Sequence, residues 1–273
     1  MNTLSETKSM AVFCDFENVA LGVQDAKYAK FDIQLVLEKL LIKGTIIVKK
    51  AYCDWSRYRE FKAPMHEASF ELIDIPHVRQ SGKNSADIRM VVDALDLCYT
   101  KSHVHTFVVV SGDSDFSPLV SKLRENNKVV IGVGVKNSSS DLLIANCDEF
   151  IYYDDLVRAQ EAEKKKTARR PRPVARKSSV EDGKDKPEQE DLQSKGLDLI
   201  LAMAEELLAE REGEDKVWGS MVKQALKRRQ PGFSETYYGF RSFNGLLEEA
   251  ERRELLEMER DEKSGGYVIT KVA

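Results

Sequence analysis

The sequence has little that points to a membrane or to an oxidising compartment. No apolar run reaches the roughly 20 residues that a helix needs to span a bilayer, and the first ten residues lack the basic start and apolar core of a signal peptide. The four cysteines stand in apolar runs without C-x-x-C spacing, so we expect buried, reduced thiols rather than disulfides or a zinc finger. They are Cys14, Cys53, Cys98 and Cys147. We therefore predict a cytoplasmic protein with no membrane partner.

The charge of the chain is close to balanced, which limits what its surface as a whole attracts. Acidic residues number 46 and basic residues 42, for a formal net charge of −4. Overall charge does not draw such a chain to nucleic acid, so any basic surface must be local. A length of 273 residues with 42% hydrophobic content predicts one or two domains with real cores.

Strand-like and helix-like segments alternate through the first 157 residues. The strand-like segments are rich in β-branched residues and read MAVFCDF, GTIIVKKAYC, FELIDIP, HTFVVVSGD, KVVIGVGV and EFIYYDD. Segments with helical spacing lie between them, namely FDIQLVLEKLLIKG, SRYREFKAPMHEASF, SADIRMVVDALDLCYT, DFSPLVSKLRENN and SSSDLLIANC. This alternation predicts an α/β fold, in which helices cover both faces of a mostly parallel sheet.

The composition changes sharply after this region. Residues 164–178 carry eight Lys or Arg and no acid, whereas residues 181–191 carry six acids against two lysines. These stretches have almost nothing to bury, and prolines interrupt them, so we predict a flexible charged linker over residues 158–191. The basic stretch suits either an arm that tethers RNA through its phosphates or a solvated spacer.

Order is predicted to return near residue 192 and to continue to residue 273. Three amphipathic helical segments come first, LQSKGLDLILAMAEELLAE, VWGSMVKQALKRRQ and FRSFNGLLEEAERRELL. Two alternating segments, LEMERD and GYVITKV, follow and are joined by the turn signal KSGG. Three helices followed by a hairpin indicate a small winged-helix domain.

Acidic residues stand where several of the predicted strands and helices meet. Asp15 ends the strand in VFCDFEN, and Asp113 and Asp115 follow the buried strand in VVVSGDSDF. Asp87 lies in the first turn of a helix for which Ser85 is the predicted N-cap. In parallel α/β sheets, ligands bind outside the carboxyl ends of the strands, and the following helices start at that same edge. Carboxylates gathered there raise one another's pKa, and a hard cation such as Mg²⁺ or Mn²⁺ would relieve the repulsion.

An acid at a helix N-terminus can also serve the helix alone. Asp87 or Asp115, taken by itself, could be a cap or a partner of the helix dipole. The convergence of Asp15 and Asp113 at strand ends favours a shared site. Gly112 is expected to permit the tight turn that presents the acids to solvent.

Three segments of the N-terminal region carry a resemblance to a known family. DFENV, NSADIRMVVDAL and VVVSGDSDFSPLVSKLRENNKVVIGVG resemble the NYN domain of the PIN-like nuclease superfamily, in its LabA-like branch. The resemblance covers residues 9–157. It implies a PIN-like three-layer α/β/α sandwich and metal-dependent cleavage of RNA, with products that carry 5′-phosphate and 3′-hydroxyl ends.

The resemblance also implies roles for particular residues of this sequence. Asp15, Asp87 and Asp113 would form the acidic cluster that binds Mg²⁺ or Mn²⁺ and catalyses cleavage. Asp115 would be a fourth acid beside them, and Asn18 would orient a ligand or a substrate phosphate. None of these acids is replaced in this sequence in a way that would indicate an inactive nuclease.

Other polar residues near these motifs are candidates for binding the substrate. Lys83 and Arg89 lie around the start of the predicted helix, and Lys136 follows the strand GVGV. Each suits either a phosphate contact or an ordinary surface position. Ser111 and Ser114 could donate hydrogen bonds to a phosphate or simply satisfy the turn.

The C-terminal region, residues 192–273, carries a second resemblance. LDLILAMAEELL, the stretch from VWGSMVKQALKRRQ to ERREL, and GYVIT resemble an OST-HTH, or LOTUS, domain, which implies a winged-helix module associated with RNA binding and protein contacts. Its basic and aromatic residues suit unpaired bases, or else helix-end charge and core packing, which we favour for Phe240. They are Lys223, Lys227, Arg228, Arg229, Tyr237, Tyr238 and Phe240.

Two other functions fit parts of the sequence. A non-catalytic RNA-binding adaptor would use the nuclease fold as a scaffold, and an activity assay separates it from a nuclease. A metal-dependent phosphatase of the haloacid dehalogenase type would use an aspartate after the first strand, but that family has Asp where this chain has Glu17. We predict a metal-dependent ribonuclease whose substrate is RNA, single-stranded by expectation. Its target, its mode of cleavage, the number of metals and the oligomeric state are left open by the sequence.

Overall fold

A computed structural model describes residues 8–76, 84–168, 186–210, 216–261 and 265–273 of the chain. The chain divides into two units, with the boundary between Lys164 and Lys165. In the parts described, no helix combines the length and the apolar character needed to cross a bilayer. All four cysteines are free and buried, which agrees with the burial predicted for them.

The first unit is built on a six-stranded sheet. Its strands are β1 (Ser9–Asp15), β2 (Thr45–Cys53), β3 (Glu71–Asp74), β4 (Thr106–Val110), β5 (Val129–Gly134) and β6 (Glu149–Tyr152). They lie side by side in the order β3-β2-β1-β4-β5-β6, and every neighbouring pair is parallel. The strand order reverses between β1 and β4, and sheets of this kind have their ligand crevice at such a reversal.

Helices cover both faces of this sheet. They are α1 (Phe16–Asp25), α2 (Ile33–Leu41), α3 (Arg59–Glu67), α4 (Ser85–Thr100), α5 (Ser117–Glu125), α6 (Asp141–Asn146) and α7 (Tyr153–Ala168). Residues of α1, α2, α3 and α7 join the core on one face, and residues of α4, α5 and α6 join the core on the other. The predicted α/β fold with three layers is therefore confirmed.

The position of the central strands accounts for their apolar sequences without alternation. In β1, Val12 and Cys14 belong to one core, whereas Ala11 and Phe13 belong to the other. All five residues of β4 are buried. Because successive side chains of a strand point to opposite faces, a strand covered on both sides must be apolar throughout.

Two helices of this unit were not predicted, and one helix start differs by a residue. The chain passes from β1 into α1 and from β6 into α7 without an intervening loop, so no turn signal marks either start. The predicted strand EFIYYDD consequently ends at Tyr152, and Tyr153 begins α7. Asn84 rather than Ser85 is the N-cap of α4, and its side chain makes no capping hydrogen bond.

The second unit combines three helices with a small antiparallel sheet. Its elements are α8 (Lys186–Glu210), β7 (Val217–Trp218), α9 (Gly219–Arg229), α10 (Phe243–Arg252), β8 (Leu256–Arg260) and β9 (Tyr267–Val272). The sheet order is β7-β9-β8, and three helices with a final hairpin match the predicted winged-helix pattern. Val217 and Trp218 were wrongly predicted as helix; Val217 is buried and pairs with Ile269 in the sheet.

Helices enter the predicted charged linker from both sides. Helix α7 continues to Ala168 and α8 begins at Lys186, so helical residues occupy both ends of the linker predicted over residues 158–191. The prolines of the basic stretch come after α7, and the sequence up to Ala168 is rich in helix-forming residues. Residues 169–185, which contain the rest of the basic stretch, lie outside the described residues.

Candidate active site

Asp15 stands at the carboxyl end of β1 and begins the site. It is the N-cap of α1, where its Oδ1 accepts a hydrogen bond from the backbone N–H of Asn18 at 3.4 Å. Its neighbour Cys14 pairs with Val110 of β4, so the residue after Val110 lies beside Asp15. That residue is Ser111, whose Oγ donates to Asp15 Oδ2 at 2.9 Å. Asp15 is only 7% exposed, so it is a buried carboxyl group at the strand reversal.

Further hydrogen bonds join the start of α1 to the turn after β4. The Asn18 side-chain oxygen accepts from the backbone N–H of Gly112 at 2.8 Å. The backbone N–H of Asp113 donates to Ser111 Oγ at 3.2 Å, and that hydroxyl in turn donates to Asp15. The amide of Asn18 and the hydroxyl of Ser111 therefore hold the Asp15 and Asp113 segments in a fixed relation.

Gly112 is needed for a close backbone approach rather than for an unusual turn. It is not among the residues with positive φ, which differs from the tight turn that we expected there. A Cβ atom at this position would lie 2.3 Å from the carbonyl oxygen of Ser138 and 2.9 Å from Cα of Ser139. The backbone N–H of Ser140 also donates to the Gly112 carbonyl at 2.8 Å. The loop after β5 is thus pressed against the turn that carries Asp113.

The remaining predicted acids lie on the same edge of the sheet. Asp113 caps a short 3-10 turn, Ser114–Phe116, and its Oδ1 accepts from the backbone N–H of Asp115 at 3.0 Å. Asp115 is exposed. Asp87 lies half-buried in the first turn of α4 and is not the cap of that helix. Capping therefore accounts for part of the role of Asp113 and Asp15, but not for Asp87.

The negative charges of these acids affect one another's pKa. Burial raises the pKa of Asp15 to about 7, and the nearby charge of Asp87 adds to this rise. The hydrogen bonds from Ser111 and Asn18 oppose the rise without cancelling it. Burial also raises the pKa of Asp87, and Asp113 is the next cause. Among the described residues, no Lys or Arg forms an ion pair with Asp15, Asp87 or Asp113.

The fit of these residues to a metal ion can be judged from their chemistry. Within the described ranges, no three acidic, His or Cys side chains already stand as a ready-made set of ligands. Mg²⁺ retains several waters and commonly uses only one or two carboxylates directly. Buried acids that repel one another at a ligand crevice supply the oxygen donors and the negative charge that such a hydrated cation needs.

The structure places the predicted substrate-binding residues unevenly around this edge. Lys83 lies outside the described residues. Arg89 is directed to Asp93 of its own helix, with Nε donating to Oδ1 at 3.0 Å. Ser114 lies in the 3-10 turn beside the acids. The ammonium group of Lys136 lies 5.9 Å from the centre of the Tyr152 ring.

Two residues of this edge were not predicted as part of the site. Glu17, in the first turn of α1, contributes to the raised pKa of Asp87. Arg57 donates from Nη1 to Glu17 Oε1 at 2.7 Å. Glu17 could have been found, because an acid two residues after a strand-ending aspartate faces the same edge. Arg57 comes from the turn after β2, and nothing in its sequence neighbourhood indicates this partner.

In the second unit, several basic and aromatic residues have partners close by. Lys223 pairs with Glu235 at 2.6 Å, and Arg229 pairs with Glu206 at 2.7 Å. Phe240 is buried, which confirms the packing role that we favoured for it. The Tyr238 ring stacks on Phe233 with centroids 5.4 Å apart, and Tyr237 packs edge-on against Tyr238.

Comparisons with known proteins concern mainly the first unit of the chain. Residues 9–154, more than half of the chain, match the family described as the NYN domain. Among curated proteins, the chain is similar to meiosis regulator and mRNA stability factor 1 of Bos taurus, with 25% identity over 154 residues, covering 56% of this chain and 9% of that protein. The Xenopus tropicalis protein of the same name is 25% identical over 148 residues, covering 54% and 9%. The chain therefore matches under a tenth of the length of these relatives.

A solved structure supports the same fold for the first unit. A protein of unknown function from Vibrio parahaemolyticus is 26% identical, with a TM-score of 0.50. The match covers 57% of this chain and 98% of the bacterial protein. That protein therefore resembles one unit of this chain across nearly its whole length.

Proposed function

Because this chain belongs to the NYN domain family, we propose that it is a metal-dependent ribonuclease. The NYN domain is part of the PIN-like nuclease superfamily, which favours cleavage of RNA. The observation that carries the proposal is the buried carboxyl group of Asp15, whose pKa rises to about 7 beside Asp87 and Asp113. A fold keeps repelling acids at its ligand crevice at a cost in stability, and a bound cation would offset that cost.

Asp15, Asp87 and Asp113 are the residues that would hold Mg²⁺ or Mn²⁺. When bound, the metal would polarise the scissile phosphate and lower the pKa of a water that attacks it. Ser111 and Asn18 orient the carboxylate of Asp15 through their hydrogen bonds. These hydrogen bonds also favour the charged form of Asp15, which is the form that binds a cation.

Other residues of the edge have supporting roles in this proposal. Asp115 lies exposed next to Asp113 and would act as the fourth acid. The side-chain oxygen of Asn18 accepts from the backbone N–H of Gly112 and so positions the turn, while its NH2 group would orient a substrate phosphate. The Ser114 hydroxyl lies on the same turn and would donate to the RNA backbone. Arg89 holds Asp93 through Nε, and the other N–H donors of its guanidinium group would be the ones to contact a phosphate.

The name of the curated relatives supports RNA as the substrate class, since it describes a factor in mRNA stability. We infer that this chain acts on single-stranded RNA. For the second unit, we propose an OST-HTH-like module that binds RNA or a protein, on the basis of its winged-helix element order. The cytoplasmic location expected from the sequence stays a prediction.

The test is cleavage of an end-labelled single-stranded RNA by the full chain with Mn²⁺. We expect wild-type protein to release fragments with 5′-phosphate ends and the Asp113→Asn variant to release almost none. Asp96→Asn is a matched control, because Asp96 lies exposed on α4 away from the acids.

Each alternative function predicts a different result in this assay. Equal cleavage by wild type and Asp113→Asn would refute the assignment of the acids. RNA that is bound but never cut would favour a non-catalytic adaptor. Phosphate released from a small phosphoester, with RNA left intact, would favour a phosphatase.

A further inference from the structure

A groove runs beside the acids on the α4 face of the sheet. It has a volume of about 700 Å³ and lies between α4, the 3-10 turn and the starts of α5 and α6. Its apolar lining includes Ile88, Val92 and Leu142, which are 62%, 56% and 58% exposed. Large aliphatic side chains exposed together in a concave surface indicate a binding site more often than isolated ones do.

The groove is continuous with the candidate active site. Asp87 and Asp115 belong to its lining, and Asp87 is the acid whose charge helps to raise the pKa of Asp15. Ile88 follows Asp87 directly, and Val92 lies one helical turn further along the same face of α4. If a molecule binds at the acids, the group next to the bound one would therefore lie on Ile88 and Val92.

The chemistry of the lining selects an uncharged, flat occupant. None of the described residues that line the groove is basic, so beyond the acids the groove offers a phosphate no partner of opposite charge. Aliphatic side chains instead bury the face of an uncharged ring, as pockets for extruded bases do. Ser117 also lines the groove; it is 6% exposed and its hydroxyl has no hydrogen-bond partner among the described residues. This hydroxyl is covered, so it would have to turn outward before it could bind the polar edge of a base.

We propose that this groove binds an unstacked nucleobase of the RNA strand whose phosphate lies at the acids, and so restricts the enzyme to single strands. The inference rests on the proposed ribonuclease function and adds a base-binding subsite to it. A base in a duplex is stacked and paired, and it cannot enter the groove unless it leaves the helix. The strand thus places its charged backbone at the acids and its neutral base on Ile88 and Val92.

The first arm of the test compares two double variants of the full chain. In Ile88→Ser/Val92→Ser, we expect KM for single-stranded RNA to rise about tenfold with little change in kcat, because ground-state contact with one base is lost. Leu41→Ser/Ile42→Ser is the matched control, since these residues are also exposed but lie at the end of α2, a helix on the opposite face of the sheet. The control should leave KM unchanged, and both variants should melt near the wild-type temperature because the replaced side chains are exposed.

The second arm replaces one base at a time with an abasic site along the RNA. Wild type should lose affinity at one position next to the cut, and Ile88→Ser/Val92→Ser should be indifferent to that same change. Binding of these RNAs, measured by fluorescence anisotropy in Ca²⁺, gives a readout that does not depend on cleavage. Failure of the ribonuclease proposal would appear as binding without cutting, whereas failure of the groove proposal would appear as cutting without base dependence.

Three results would overturn the groove proposal. One is equal KM in wild type and Ile88→Ser/Val92→Ser. Another is wild-type binding that is indifferent to abasic sites at every position. The third is a change from dimer to monomer in Ile88→Ser/Val92→Ser with RNA binding intact, which would assign the groove to a second copy of the chain.

Discussion

The acidic edge of the first unit and the surface of the second unit differ in how their charged side chains are paired. At that edge, Asp15 is buried and Asp87 is half-buried, the charge of Asp87 adds to the rise in the pKa of Asp15, and no described Lys or Arg pairs with either. In the second unit, Lys223 and Arg229 form ion pairs with acids of their own unit, and Glu249 binds both Arg252 and Arg253. Surface ion pairs of that kind add little free energy.

This difference separates a candidate site from an ordinary surface. An ionised carboxylate that is buried without a partner lowers stability, because its charged form is poorly solvated. A charged residue with a neighbour of opposite sign on the surface has no such penalty. The acidic edge is therefore where a ligand would change the free energy of the protein most.

The largest expected effect tests whether the unpaired acids are functional. Asp87→Asn removes one carboxylate from the edge, and we expect RNA cleavage in Mn²⁺ to fall at least about 100-fold, because a metal position is lost. Asp96→Asn, on the same helix, should keep the wild-type rate. The measurement is kcat for both variants, which compares an acid of the edge, Asp87, with a solvent-exposed acid, Asp96. A similar loss of RNA cleavage in both variants would show that the acids of the edge have no special role.

A second prediction compares a glycine in each unit. Gly112→Ala would bring a Cβ atom to 2.3 Å from a backbone oxygen, and we expect a loss of about 2–3 kcal/mol in the free energy of unfolding. Gly245→Ala in α10 meets nothing closer than Ser242 Oγ at 3.4 Å, so it should be neutral or stabilise the helix. Denaturant unfolding followed by circular dichroism measures both. A stable Gly112→Ala protein would show that the loop after β5 yields easily.

A third prediction uses the raised pKa of Asp15 in protein kept free of divalent ions. Between the ordinary aspartate pKa of 3.8 and the native value of about 7, the folded protein holds a proton that the unfolded chain releases. Stability therefore falls as pH rises through that window. Relative to Asp15→Asn, wild type should lose about 2 kcal/mol between pH 5 and pH 8 in EDTA. Parallel pH profiles for the two proteins would contradict this role of Asp15.

The smallest expected effect belongs to the second unit. Arg229→Ala breaks an exposed ion pair with Glu206, and we expect it to leave the free energy of unfolding almost unchanged. Raising the salt concentration should shrink even that difference. Thermal melts of the two proteins at low and high salt provide the measurement. A larger loss would mean that the paired charges of this unit are structural.

Much of the fold could be predicted because the central strands are buried on both faces. Unbroken apolar runs as short as those of β4 and β5 are typical of strands covered by helices on both sides, and the acids after β1 and β4 mark the ends of strands. The small unit was predicted from helical spacing and the hairpin signal. The strand formed by Val217 and Trp218 was not predicted, because two residues are too few to show the alternating pattern of a strand.

The rest of the site depends on contacts between distant segments. The sequence around Asn18 does not show that its side-chain oxygen accepts a hydrogen bond from the backbone N–H of Gly112. The sequence around Arg57 likewise does not show that Glu17 is its partner. The groove was also missed, because Ile88 and Val92 look like ordinary helix residues until α6 brings Leu142 beside them. Pattern and spacing locate the acids, but only the packed chain shows what lies next to them.

The central claim is that the acids at the carboxyl edge of the sheet share one kind of ligand, a hard divalent cation. Titration of Mn²⁺ followed by its electron paramagnetic resonance signal tests this directly, with no RNA present. We predict saturable loss of the free Mn²⁺ signal with wild-type protein and with Asp96→Asn, and a marked weakening of binding in Asp15→Asn, Asp87→Asn and Asp113→Asn. A free signal that wild-type protein leaves unchanged, or binding that all three variants retain, would contradict the claim.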